Sequence, residues 1–112
     1  MRLSQALLIV ETDGRGIPVG DGLVVGRNQD CGLVLNDPAA SRRHLEILRD
    51  PQGWTWRDLG SSNGTLFNGR AITTGPLQHG DRLQIGDSVL RFELRAEAPA
   101  ATPREDSKLF NK

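Results

Sequence analysis

Apolar residues in this chain come in short runs, each cut off by glycine, asparagine, aspartate or proline. Several runs alternate residue by residue, the period of a half-buried strand, and no stretch makes a convincing helix. Leu3 to Glu11 predicts a long first strand, ended by Thr12-Asp13-Gly14-Arg15-Gly16. Ile17 to Val19, Leu23 to Gly26 and Leu33-Val34-Leu35 predict three shorter ones. His44 to Leu48 places His44, Glu46 and Leu48 on one face and Leu45 and Ile47 on the other. Asp50-Pro51-Gln52-Gly53 is a turn signal, because proline pre-sets the central backbone angle. Trp54 to Asp58 then returns, alternating aromatic with polar, so the two runs predict a hairpin with at least one tryptophan in the core.

Thr65-Leu66-Phe67 and Arg70-Ala71-Ile72 flank Asn68-Gly69, the favoured two-residue hairpin turn. A Gly75-Pro76 loop follows, then Asp81 to Ile85, a Gly86-Asp87 turn, and Ser88 to Leu94. About eleven short strands imply an all-β fold, a sandwich of two antiparallel sheets over residues 1–95. From Ala96 the chain becomes rich in alanine and proline, then mixed and charged, so 96–112 is expected to be a flexible tail or linker.

Composition narrows the function more than the fold. Fourteen basic and fourteen acidic residues cancel over 112 positions. A balanced chain is poorly suited to a nucleic-acid polymer, and any anion site must be local. The single cysteine, Cys31, cannot form an intrachain disulfide. Ala6 to Val10 is too short for a signal-peptide core, and no run reaches the length of a membrane span. The expectation is a soluble, cytoplasmic protein without nucleic-acid or membrane partners.

The polar residues that interrupt the strands carry the chemistry. Gly26-Arg27 closes one strand, Ser41-Arg42-Arg43-His44 opens another, and Gly60-Ser61-Ser62-Asn63-Gly64-Thr65 follows one hairpin later. Arg27, Ser41, Arg42, Ser62 and Asn63 gather guanidiniums, hydroxyls and an amide at strand ends. A phosphorylated side chain needs that set: charge-assisted donors for about two negative charges, and small donors to fix orientation. Gly26, Gly60 and Gly64 are expected to let the backbone turn tightly, Gly64 with positive φ. Taken singly, each piece has a plainer reading: Arg27 as a solvated charge, Ser41 as a turn hydroxyl, Asn63-Gly64 and Asn68-Gly69 as turns.

Together, in this order and spacing over roughly residues 5–94, they resemble the forkhead-associated (FHA) domain family. Its pattern is Gly-Arg, then Ser-Arg-x-His, then Ser-x-Asn-Gly-Thr with a following Asn-Gly. The resemblance implies an eleven-stranded sandwich that binds phosphothreonine peptides through loops at one end, an adaptor in Ser/Thr kinase signalling. It implies that Arg27, Ser41 and Arg42 contact the phosphate, that Ser62 holds the threonine region, and that Asn63 bonds the peptide backbone. His44 braces the Ser41 loop, and Thr65 and Asn68 support. In some members a basic residue two before the serine favours an acidic ligand residue three after the phosphothreonine; Ala39 stands there, so that preference is not expected.

Other chemistries fit less well. Ser41, His44 and Asp58 can be recited as a triad, but Ser41 and His44 lie three apart at a strand start, which gives no reason for their side chains to meet, and no nucleophile elbow is present. Cys31, His44 and His79 lack paired metal-ligand spacing. No cofactor and no catalysis are expected. One alternative is an FHA fold that binds an unphosphorylated protein or itself. Another is that phosphorylated Thr102, in the tail, occupies the site of its own chain or of a neighbour.

Overall fold

A computed structural model describes residues 3–96. Ala96 pairs with Leu3 at the end of the last strand, and the rest of the expected tail, with Thr102, lies outside the described residues. Eleven strands follow one another: β1 (Leu3–Val10), β2 (Gly16–Pro18), β3 (Leu23–Gly26), β4 (Leu33–Val34), β5 (Leu45–Asp50), β6 (Gly53–Asp58), β7 (Leu66–Phe67), β8 (Arg70–Ala71), β9 (Thr74–Leu77), β10 (Arg82–Ile85) and β11 (Ser88–Ala96). They form a six-stranded sheet, β2-β1-β11-β10-β7-β8, and a five-stranded sheet, β4-β3-β5-β6-β9. No helix among the described residues is long and apolar enough to cross a membrane.

The alternation seen in the sequence is what seals the two sheets together. Ala6, Leu8 and Val10 of β1, Leu83 and Ile85 of β10, and Leu90 and Phe92 of β11 are buried in the first sheet. Val25, Leu45, Ile47, Trp56 and Leu77 are buried in the second. Burying each large aliphatic or aromatic side chain is worth about 1.5–3 kcal/mol. Trp56 is fully buried and stacks on Phe67 across the sheets, with ring centroids 5.8 Å apart.

Three expectations change. The sheets are not wholly antiparallel, because β3 and β4 pair in parallel. That pairing sends the chain from the end of β3 through a loop that returns beside it. The Gly75-Pro76 segment is a strand, β9, and Pro76 lies opposite Thr55. It is tolerated because β9 is an edge strand, where one side needs no ladder donor. His44 does not share the half-buried side of Glu46 and Leu48: it lies just before β5 and is fully buried. Here the incoming loop, not the strand pleat, sets the direction of the side chain. The Asn68-Gly69 turn is as expected, with positive φ at both residues (50° and 87°).

Candidate functional site

Gly26 ends β3 where another chain segment lies almost on its Cα. A Cβ there would stand 2.1 Å from the Arg42 carbonyl oxygen and 2.9 Å from that of Ser41. Its φ is not positive, so Gly26 is required by close approach and not by a tight turn, which corrects the sequence expectation. The contact lets the Arg27 amide donate to the Ser41 carbonyl (3.0 Å) and the Asn28 amide to the Arg42 carbonyl (3.1 Å). Arg27 and Ser41, fourteen positions apart, thereby become neighbours. The Arg27 Nε donates to the Ala40 carbonyl, which fixes the guanidinium by one corner. Arg27 and Arg42 share an open cleft of about 370 Å³ with Asn28 and Gln29.

His44 joins the other two loops. Its Nδ1 accepts the Ser41 amide at 3.0 Å, so the ring proton belongs on Nε2. That nitrogen lies 2.9 Å from the Gly64 carbonyl and 3.1 Å from Thr65 Oγ1, and it donates to them. One buried imidazole therefore ties the loop before β5 to the loop before β7. Thr65, also buried, donates its own hydroxyl hydrogen bond to Asp58 Oδ2 at 2.8 Å.

Asp58 is the organising residue that sequence reasoning passed over. Its Oδ1 accepts the Ser61 amide and its Oδ2 the Ser61 hydroxyl, both at 2.7 Å. Ser61 Oγ in turn accepts the Gly64 amide at 3.0 Å. Burial pushes this carboxyl up, but the bonds from Ser61 and Thr65 outweigh it and hold it below the usual range. Its one trace in the sequence is local, an aspartate three residues before a serine beside a glycine turn. Gly60 and Gly64 have φ of 82° and 81°, as that turn demands.

The remaining expected residues fall on the same end of the sandwich, with one exception. Ser41 Oγ accepts the Ser62 amide at 3.1 Å, leaving the Ser62 side chain exposed. Asn63 Nδ2 donates to the Ala39 carbonyl at 2.9 Å. Arg42 and Arg43 are exposed. Asn68 is apart: it bonds Asp81 and the Arg82 amide, holding the β7–β8 hairpin onto β10. Ser41, His44 and Asp58 do come together, but not as a relay. Ser41 meets His44 through its amide, and Asp58 stands 3.8 Å from the donating Nε2. Burial pushes the Cys31 thiol up, with Asp30 adding to it, and Sγ donates to the Arg42 carbonyl at 3.1 Å.

Residues 23–86 match the family model described as FHA domain. The chain is 37% identical over 88 residues to the FHA domain-containing protein FhaA of Mycobacterium tuberculosis, covering 78% of this chain and 17% of that protein. The chain spans less than half the length of the curated relatives it matches. An FHA domain from a study of phosphothreonine-dependent FHA interactions superposes with a TM-score of 0.78 at 32% identity, covering 84% of this chain and all of that one. Mycobacterium tuberculosis EmbR, solved with a low-affinity phosphopeptide, superposes at 0.79 with 30% identity, covering 85% of this chain and 26% of EmbR. The sandwich, the loop-carried polar cluster and these likenesses agree: the chain belongs to the forkhead-associated domain family.

Proposed function

We propose that this domain is a phosphothreonine-dependent interaction module that recruits a phosphorylated protein, a Ser/Thr kinase or one of its substrates, without catalysis of its own. The observation that carries the reading is Arg27. Its guanidinium is anchored through Nε to the Ala40 carbonyl and shares a cleft with Arg42, next to Ser41. An anchored fork has already lost much of its rotamer freedom, so less is lost when an oxyanion arrives. In this reading Arg27, Ser41 and Arg42 hold the phosphate, Ser62 lies against the threonine, and Asn63 bonds the peptide backbone through its carbonyl oxygen while Nδ2 stays on Ala39. Such a module works in the cytoplasm with Cys31 as a thiol. The solved relatives with phosphopeptides or phosphothreonine-dependent partners support it.

The test is titration of an oriented phosphothreonine peptide library, then of its best member, against wild type and Arg27→Ala. Losing charged hydrogen bonds at about 1.5–3 kcal/mol each predicts a loss of ten- to a hundredfold or more. Arg27 is exposed, so folding should be unchanged. Affinity that survives both phosphatase treatment of the ligand and the substitution would show an unphosphorylated partner instead.

A further inference from the structure

The loop between β4 and β5 orients the candidate binding residues with its backbone. The Ala40 carbonyl receives Arg27 Nε, and the Ala39 carbonyl receives Asn63 Nδ2 at 2.9 Å. Neither alanine has a side chain able to fix those carbonyls. Asp37 holds the loop that carries them: the Ala39 carbonyl shares a peptide plane with the Ala40 amide, which Asp37 receives, and the Ala40 carbonyl shares one with the Ser41 amide, which His44 receives. Asp37 Oδ1 accepts the Ala39 amide at 2.9 Å, and its own carbonyl accepts the Ala40 amide at 2.9 Å. Its Oδ2 accepts the Asp87 amide, in the β10–β11 turn, at 3.1 Å and the Ser88 hydroxyl, at the start of β11, at 2.8 Å. The residue is buried, at 9% exposure. Gly86 makes room for this arrangement: a Cβ there would lie 2.6 Å from Ala39 Cβ and 2.8 Å from Asp37 Oδ1.

We propose that Asp37 is a positioning residue for the phosphopeptide site: its carboxylate clamps the β4–β5 loop to the start of β11 and so holds in place the loop whose Ala40 and Ala39 carbonyls orient Arg27 and Asn63. The inference rests on the function proposed above, and its geometry is independent of that function. Hydrogen bonds, from the Ala39 amide first and then the Ser88 hydroxyl, hold the carboxyl below its usual range and keep it an acceptor at neutral pH. An asparagine at 37 preserves the volume but turns an NH₂ toward groups that themselves donate. The clamp then opens on one side without leaving a cavity.

The experiment uses the 112-residue chain as wild type, Asp37→Asn and Ser88→Ala. NMR of the ligand-free proteins reads the Arg27 Nε–H and Asn63 side-chain amide signals, which a general loss of stability would not single out. Fluorescence anisotropy reads binding of a labelled phosphothreonine peptide chosen from the library. Asp37→Asn is expected to shift both signals, speed their exchange with water, keep the sheet amides in place, and weaken binding about tenfold. Ser88→Ala, which removes one of the bonds, is expected to weaken it about two- to threefold. Unshifted Arg27 and Asn63 signals, or wild-type affinity in a folded Asp37→Asn, overturn the proposal. If Asp37→Asn does not fold, unshifted signals and wild-type affinity in Ser88→Ala overturn it equally. Wild-type protein that binds no phosphothreonine peptide sinks the functional reading, while the NMR signals still decide whether the clamp exists.

Discussion

Replacing Gly26 with alanine tests the contact on which the whole site is hung. The new methyl would start 2.1 Å from the Arg42 carbonyl oxygen, and ordinary contact begins at 3.4 Å, so the two backbones must part by 1.3 Å to reach it. Neither is the end of a flexible side chain. Overpacking of this kind costs about 1–3 kcal/mol. The bonds from the Arg27 and Asn28 amides stretch from 3.0 and 3.1 Å beyond hydrogen-bonding range. Both residues are exposed and their amides can turn to water, so they add little to that cost. At about 4–8 °C per kcal/mol for a domain of this size, the melting temperature should fall by several degrees at least. Urea unfolding followed by tryptophan fluorescence measures the change, since Trp56 is fully buried. Phosphopeptide affinity, measured where the variant is still folded, should fall about tenfold, because Ser41 leaves Arg27's side. Wild-type stability together with wild-type affinity would refute the close-approach argument.

Gly64→Ala should cost only about 1 kcal/mol in the same assay, since φ of 81° is strained for alanine but nothing lies within 4 Å of the new carbon; Gly64→Asn should recover part of it. His44→Ala should cost about 3 kcal/mol or more, because a cavity opens while the Ser41 amide and the Gly64 carbonyl both lose their partner. Asp58 is held below its ordinary value of 3.8, so its contribution to stability is full above that value and is lost as pH falls through the lower folded one. Urea midpoints measured from neutral to acid pH should therefore show a shallower acid decline in Asp58→Asn than in wild type; parallel declines would count against the network.

The strands were legible because alternation is a local property. The β5–β6 hairpin and the Asn68-Gly69 turn carry their geometry in adjacent residues. β9 looks like a loop in the sequence because Gly75-Pro76 is a breaker everywhere except at an edge, and edge position is a fact of topology. The site residues, and His44 and Thr65 behind them, were legible as a family pattern, whereas the carboxylates beneath them were not. Asp58 and Asp37 look like ordinary turn aspartates until the fold brings hydroxyls and amides from elsewhere onto them. His44 shows the same limit, since strand periodicity cannot describe a side chain aimed by a loop.

The borders of the two sheets bear on how such a domain meets other chains. β2 has three residues, β4 and β8 have two each, and β9 has four with Pro76 among them. A strand arriving at any of these finds too few donors and acceptors in a row to extend the sheet. Copies at high concentration then have little backbone at these borders through which to stitch themselves together. In the function proposed above, contact among the described residues falls to the loops, where a single covalent mark on the partner grants or withdraws it.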